Sequence, residues 1–231
     1  MDTIRLTTAQ AIVRWILAQR TVVDDVEVPV FAGVFGIFGH GNVTSPAEAL
    51  EPVQDRLPTW RGQNEQSMAL AAVAYAKAMR GRRIMIATSS IGPGSTNMVT
   101  AAAVAHANRL PLLLFSGDTF QHRIVDPVLQ QVEQFGDPTL TVADTFKPVT
   151  RYWDRITKPA QIVRSLPQAL AVMLDPAGGC SASAARRSAR GSRTPWLGRP
   201  GEGRRTPGRG SPDRAWSPIP AEGTSRSGRD A

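Results

Sequence analysis

Two rhythms of apolar and polar residues run through the first 176 positions. Residues 7–20 place Ile12, Trp15, Ile16 and Leu17 at helical spacing, with Thr7 or Thr8 available as the cap. Residues 65–80 carry the strongest helical pattern: Met68, Ala72, Tyr75 and Met79 share a face, five alanines (69, 71, 74, 76, 78) keep the helix thin, and Gly81 is placed to end it as C′. Residues 96–108 and 159–174 read as two further helices, the last with Pro167 predicted to kink or break it. Between them lie short continuous apolar runs at 30–38, 84–88 and 111–116, bounded by glycine turns. Such runs suit strands covered on both faces, and the glycines of the first suggest a close backbone approach. Residues 24–29 read as an acid- and valine-rich hinge, 45–48 as a helix start, and 146–153 as a short strand or packed loop.

Strand, glycine turn and helix in succession predict an α/β fold with a parallel sheet flanked by helices. Ligands of such sheets gather beyond the carboxyl ends of the strands. Gly39, residues 88–94 and Gly117-Asp118 all fall there.

Beyond Pro176 the pattern stops. The last 55 residues hold eleven Arg, ten Gly, eight Ser and six Pro, and they carry +7 of the chain's net +8. So little apolar surface cannot offset chain entropy, which divides the chain into a folded domain over 1–176 and a disordered tail over 177–231. A basic tail raises the possibility of nucleic acid as partner. It has no repeated RGG unit and only Trp196 and Trp216 as aromatics, which argues against a specific binder. Cys180 is the only cysteine, so no disulfide framework or cysteine metal site is expected. No apolar run is long enough for a membrane span and no leader pattern is present, so the expectation is a soluble, cytoplasmic protein with no membrane partner.

The candidate chemistry is sparse when read locally. Gly92-Pro93-Gly94-Ser95-Thr96-Asn97 lacks the Gly-Lys-Ser/Thr ending of a P-loop and has Asn where a dinucleotide fingerprint has Gly, so alone it is a βα turn. His40, His106 and His122 show no metal-ligand spacing, and no metal-binding residues are expected. No serine nucleophile elbow is present. Glu65 at the head of the alanine-rich helix is the acid a helix macrodipole favours in its first turn.

The order of these pieces is more specific than any one of them. Glu65-Gln66 opening an alanine-rich helix, a strand, Thr88-Ser89-Ser90-Ile91-Gly92-Pro93-Gly94-Ser95-Thr96-Asn97, and then Pro111-Leu112-Leu113-Leu114 together resemble the pyrimidine-binding (Pyr) domain of thiamine-diphosphate enzymes of the acetolactate synthase type. Four stretches, 38–43, 60–66, 116–123 and 146–153, differ from acetolactate synthases. They are similar to a branch of ring-opening hydrolases that act on a cyclic dione in myo-inositol breakdown.

The resemblance implies that Glu65 is the catalytic, cofactor-activating acid, bonded to N1′ of the aminopyrimidine ring, and that Asn97 is a second cofactor-binding residue. It implies thiamine diphosphate and Mg²⁺ as cofactors, a homodimer or higher homo-oligomer, and a small cyclic dione opened to 5-deoxy-glucuronate. The family's second half-site, a Gly-Asp-Gly motif with a following Asn that holds Mg²⁺ and diphosphate, matches no stretch of this sequence. The buried strand that the family places after residue 176 is replaced by Gly178-Gly179-Cys180-Ser181-Ala182-Ser183. The expectations are therefore a Pyr domain without its last strand, a tail that is a frameshift product, and a chain that is inactive alone. Two alternatives are another thiamine-diphosphate enzyme of the same superfamily and a non-enzymatic α/β module with a nucleic-acid-binding basic tail.

Overall fold

A computed structural model describes residues 3–120, 132, 136–137, 139–175, 181–187 and 194–197. All belong to one compact unit, Met1–Gly198, while Arg199–Ala231 lies outside the described residues.

The chain opens with strand β1 (Thr3–Leu6) and helix α1 (Thr8–Leu17). Thr7 caps α1: its hydroxyl accepts from the Gln10 amide, while the Gln10 side chain accepts from the Thr7 amide. The segment read as a hinge is a hairpin instead. Strands β2 (Arg20–Val23) and β3 (Val26–Pro29) pair antiparallel around Asp24 and Asp25, both at positive φ (51° and 64°). Two central residues in the left-handed region match the strand twist, and aspartate tolerates that conformation.

Strand β4 (Phe31–Ile37) follows the expected apolar run, and its glycines do mark a close approach. A Cβ on Gly33 would sit 2.4 Å from the Trp60 ring. The helical path after β4 begins earlier than residue 45, with α2 (Gly39–Asn42), a wide turn over Val43–Ala47 and α3 (Glu48–Leu50). Edge strand β5 (Thr59–Arg61) leads into α4 (Glu65–Ala78). The buried face of α4 is Met68, Ala69, Ala72, Val73 and Ala76, with Tyr75 and Met79 only half-buried. Its end also differs from expectation by one residue. Arg80 takes the left-handed C′ position (φ 53°), and Gly81 follows as C″, donating its N–H to the Ala76 carbonyl at 2.8 Å.

Strand β6 (Ile84–Ser89), short helix α5 (Pro93–Asn97), α6 (Val99–Ala107) and β7 (Leu113–Phe120) complete the middle of the domain. A 3₁₀ turn over Val142–Val149 then leads to β8 (Tyr152–Ile156) and α7 (Ile162–Leu174). The helix runs through Pro167 without breaking, forgoing the bond to the carbonyl of Val163, whose side chain is exposed.

The main sheet has six strands in the order β5-β4-β6-β7-β9-β8, where β9 is Ser181–Arg187, and every pairing is parallel. β9 lies beyond Pro176, where the last strand was expected to be missing. Ser181 lies opposite both Leu113 and Tyr152, so β9 fills the slot between β7 and β8. The slot is held by backbone hydrogen bonds, which a Ser/Ala segment makes as well as an apolar one. A side-chain composition rule does not register that contribution. A last strand, β10 (Thr194–Leu197), pairs antiparallel with β1.

Alternation along β6 and β7 divides the core between two faces. Met85, Ala87 and Leu114 pack under α4 and α6, whose buried alanines (69, 72, 76, 101, 102, 105) allow close helix approach. Ile84, Ile86 and Leu113 pack with Ala9, Val13, Ile16, Leu50 and Met173 on the other side. Parallel strands covered on both faces are buried throughout, and all six residues of β6 are.

Candidate functional site

The chain crosses from β4 to β5 on one side and then returns to β6 on the other. The strand order therefore reverses between β4 and β6, and a crevice opens at their carboxyl ends. Asn42, buried just past the end of β4, ties the two strand ends together by donating its amide to the Ser89 carbonyl at the end of β6, at 2.6 Å.

Two βα connections place the site residues. After β5, Asn64 caps α4 by accepting from the Ser67 amide (2.9 Å), which puts Glu65 in the first helical position, half-buried. After β6, Gly92 adopts φ 63°, a conformation that suits glycine, and the chain turns into α5. That turn brings Asn97 to Glu65: Asn97 Nδ2 donates to Glu65 Oε2 at 2.9 Å. Gly94, three residues earlier, faces the other carboxylate oxygen. A Cβ built on Gly94 would lie 3.1 Å from Glu65 Oε1, closer than ordinary contact. The back of α5 is pinned to the sheet, where buried Ser95 and Ser116 share a hydrogen bond of 2.5 Å between their hydroxyls and Ser116 donates to the Gly117 carbonyl at 2.8 Å.

A second polar group braces the neighbouring strand end. Asp118, with its side chain 1% exposed, follows Gly117 on β7 and accepts from Arg155 Nε of β8 at 2.8 Å. The same guanidinium reaches Asp144 Oδ2 (2.6 Å), Thr141 Oγ1 (2.9 Å) and the Thr139 carbonyl (3.2 Å). Lys147 pairs with Asp144 at 2.7 Å and, with Arg155, lies against the Trp153 ring. Burial pushes the Asp144 carboxyl up, but hydrogen bonds from Lys147, the Thr141 amide and Arg155 outweigh it and hold it below the usual carboxylate range. Desolvation works against the Arg155 charge, while Asp144 and Asp118 more than restore it, so its affinity for the proton is raised. Four N–H groups of Arg155 are engaged in this brace, which makes it structural support for the strand end.

Glu65 and Asn97, the two site residues singled out in the sequence, are thus brought together. The sequence offered no sign of Gly94 as the neighbour of Glu65, since its role depends on where α5 lands. Asn42 lies in one of the family-like stretches but carries no local signal, and Arg155 carries none at all. His106, on α6, leaves Nδ1 buried without a hydrogen-bond partner. The side chains of His40 and His122 lie outside the described residues. Among the described residues no His, Cys, Asp or Glu cluster suits a metal ion, and no helix is long and apolar enough to cross a membrane.

A carboxylate thus lies at the switch point of a parallel α/β sheet, the place where such sheets hold ligands. Residues 31–136 match the model of the N-terminal TPP-binding domain of thiamine pyrophosphate enzymes. Three-quarters of the chain is similar to proteins named 3D-(3,5/4)-trihydroxycyclohexane-1,2-dione hydrolase. It is 52% identical over 174 residues to that of Shouchella clausii (strain KSM-K16), 51% over 174 to that of Bacillus subtilis (strain 168), and 48% over 177 to that of Clostridium tetani (strain Massachusetts / E88). These alignments cover 75–77% of this chain and 27–28% of each relative, so the chain spans little more than a quarter of their length.

Proposed function

We propose that this chain carries the pyrimidine half-site of a thiamine-diphosphate-dependent hydrolase that opens the ring of trihydroxycyclohexane-1,2-dione. The observation that carries the reading is the meeting of Glu65, Asn97 and Gly94 at the carboxyl edge of the sheet. The donor set fits the group. A carboxylate oxygen beside a position where no Cβ intrudes can meet a ring nitrogen. When bound, thiamine diphosphate supplies the carbanion chemistry that breaks the carbon–carbon bond. Glu65 holds or releases a proton at Oε1, α5 fixes the geometry through the Ser95–Ser116 pair, and Asn42 ties the ends of β4 and β6 together.

The diphosphate and Mg²⁺ contacts of the family's second half-site match no stretch of this sequence, so the chain alone is inactive in this reading. The partner is a second copy of the chain's own kind. Ala71, Ala74 and Ala78 are exposed on α4, and an apolar helix face with small side chains suits close packing against another helix.

Calorimetric titration with thiamine tests the half-site. We expect roughly millimolar affinity for the wild-type chain, near −4 kcal/mol, and at least a tenfold loss in Glu65→Ala. Equal affinity in the two would overturn the reading, as would ring opening of the dione by this chain alone.

A further inference from the structure

The two oxygens of Glu65 have different surroundings. Oε2 accepts the Asn97 amide at 2.9 Å, whereas Oε1 faces the gap left by the missing side chain of Gly94, 3.1 Å from where a Cβ would stand. Gly94 and Asn97 lie three residues apart in α5, on the face turned to Glu65. Ser95, between them, is 1% exposed and anchors the opposite side of α5 to β7 through Ser116. The short helix is therefore clamped: its back is fixed to the sheet and its front sets the carboxylate.

We propose that Asn97 is a positioning residue for Glu65 and not a contact of the cofactor. Resting on the pyrimidine half-site argued above, this assigns the ring-nitrogen contact to Oε1 alone. Carboxylates otherwise exchange their two oxygens by rotation about the terminal bond, which is broad and two-fold. The Asn97 donor fixes that torsion, and with it the carboxylate plane, by occupying the oxygen that points away from the gap. An amide is suited to this. It donates a directional hydrogen bond without adding a positive charge, so it turns the carboxylate without forming the stronger ionic pair that would hold the proton off it. Asn97 is held by residues of its own chain, and nothing in its role requires it to reach the ligand.

A double-mutant cycle in thiamine affinity separates the two roles. The chain is titrated as wild type, Asn97→Ala, Glu65→Ala and the double variant, each checked for a wild-type thermal transition. If Asn97 acts through Glu65, Asn97→Ala weakens thiamine about tenfold in the wild-type background, the scale of one hydrogen bond to a charged group. The same change then has less than a twofold effect in the Glu65→Ala background. An equal loss in both backgrounds would mean that Asn97 touches the ligand itself, and no loss in either would mean that it orients nothing; each result overturns the proposal.

The side-chain amide resonances of Asn97 in the ligand-free protein give a second readout. They shift in Glu65→Ala if the pair exists in solution, and unchanged resonances would also sink the proposal. Should the wild-type chain bind no thiamine, the half-site reading fails, while the amide resonances still decide whether Asn97 holds Glu65.

Discussion

At the scale of single residues, the site and its brace follow different rules. Glu65 in the first turn of α4 satisfies a local preference, since a carboxylate beside the free N–H groups of a helix start is favoured by a few tenths to one kcal/mol. Arg155 satisfies none. It is the cation shared by the buried Asp118 and Asp144 carboxylates, and removing it takes a charged partner from each. We expect Arg155→Ala to lower unfolding stability by about 3 kcal/mol, as breaking a buried pair from one side does, measured by urea denaturation. A loss below ~1 kcal/mol would show that water replaces the guanidinium at little cost.

Asp144 also sets a pH dependence. Its carboxyl lies below its unfolded value, so its contribution is complete above the unfolded pKa and is lost as pH falls through the folded one. Stability measured between pH 5 and pH 2 is expected to fall less steeply in Asp144→Asn than in wild type. Parallel curves would rule Asp144 out as the titrating group.

At the scale of elements, the parallel sheet depends on a strand that its composition does not advertise. The runs 84–88 and 111–116 are legible as buried strands because they are continuous, apolar and bounded by glycine turns. Ser181–Arg187 has no such pattern, and its place is decided by the unpaired edges of β7 and β8 on either side. Ala184 pairs with Ser116 on one side and Arg155 on the other, within the stretch that carries the brace and the Ser95–Ser116 clamp. Proline there removes a ladder N–H between two neighbours. Ala184→Pro should therefore destabilise the fold by roughly 3 kcal/mol or more and reduce thiamine affinity with it. A wild-type thermal transition in this variant would exclude β9 from the sheet. The hairpin at Asp24-Asp25 was hidden for a related reason. Two adjacent aspartates at positive φ look like a charged linker until their flanking valines are seen to pair.

At the scale of the whole molecule, one surface remains to be covered in the proposed assembly. Helix α4 is apolar nearly all the way round, with Met68, Ala69, Ala72, Val73 and Ala76 turned inward and Ala71, Ala74 and Ala78 exposed. A helix of that kind is normally buried on more than one side. Ala74→Glu would place a charge in the helix contact inferred for a second copy, so sedimentation should show dimers in wild type and monomers in the variant. Monomeric wild type would refute that contact. Residues 177–231 carry +7 of the molecule's net +8, and the site rests on residues 42–118 and 139–156.

The sequence by itself determined the α/β class, the helix at 65–80, the strands around the site and the candidacy of Glu65 and Asn97. The elements follow from periodicity and glycine placement, which act over a few residues, and the two site residues from the family that the ordered motifs resemble; all of these survive in one dimension. Tertiary structure decided that Asn97 bonds Glu65 across 32 positions of sequence, that Gly94 keeps one carboxylate oxygen clear, that Arg155 joins Asp118 to Asp144, and that a Ser/Ala segment completes the sheet. Each depends on distance in space between segments that carry no mark of one another: a hydrogen bond, a close approach and a backbone ladder are set by where the chain returns.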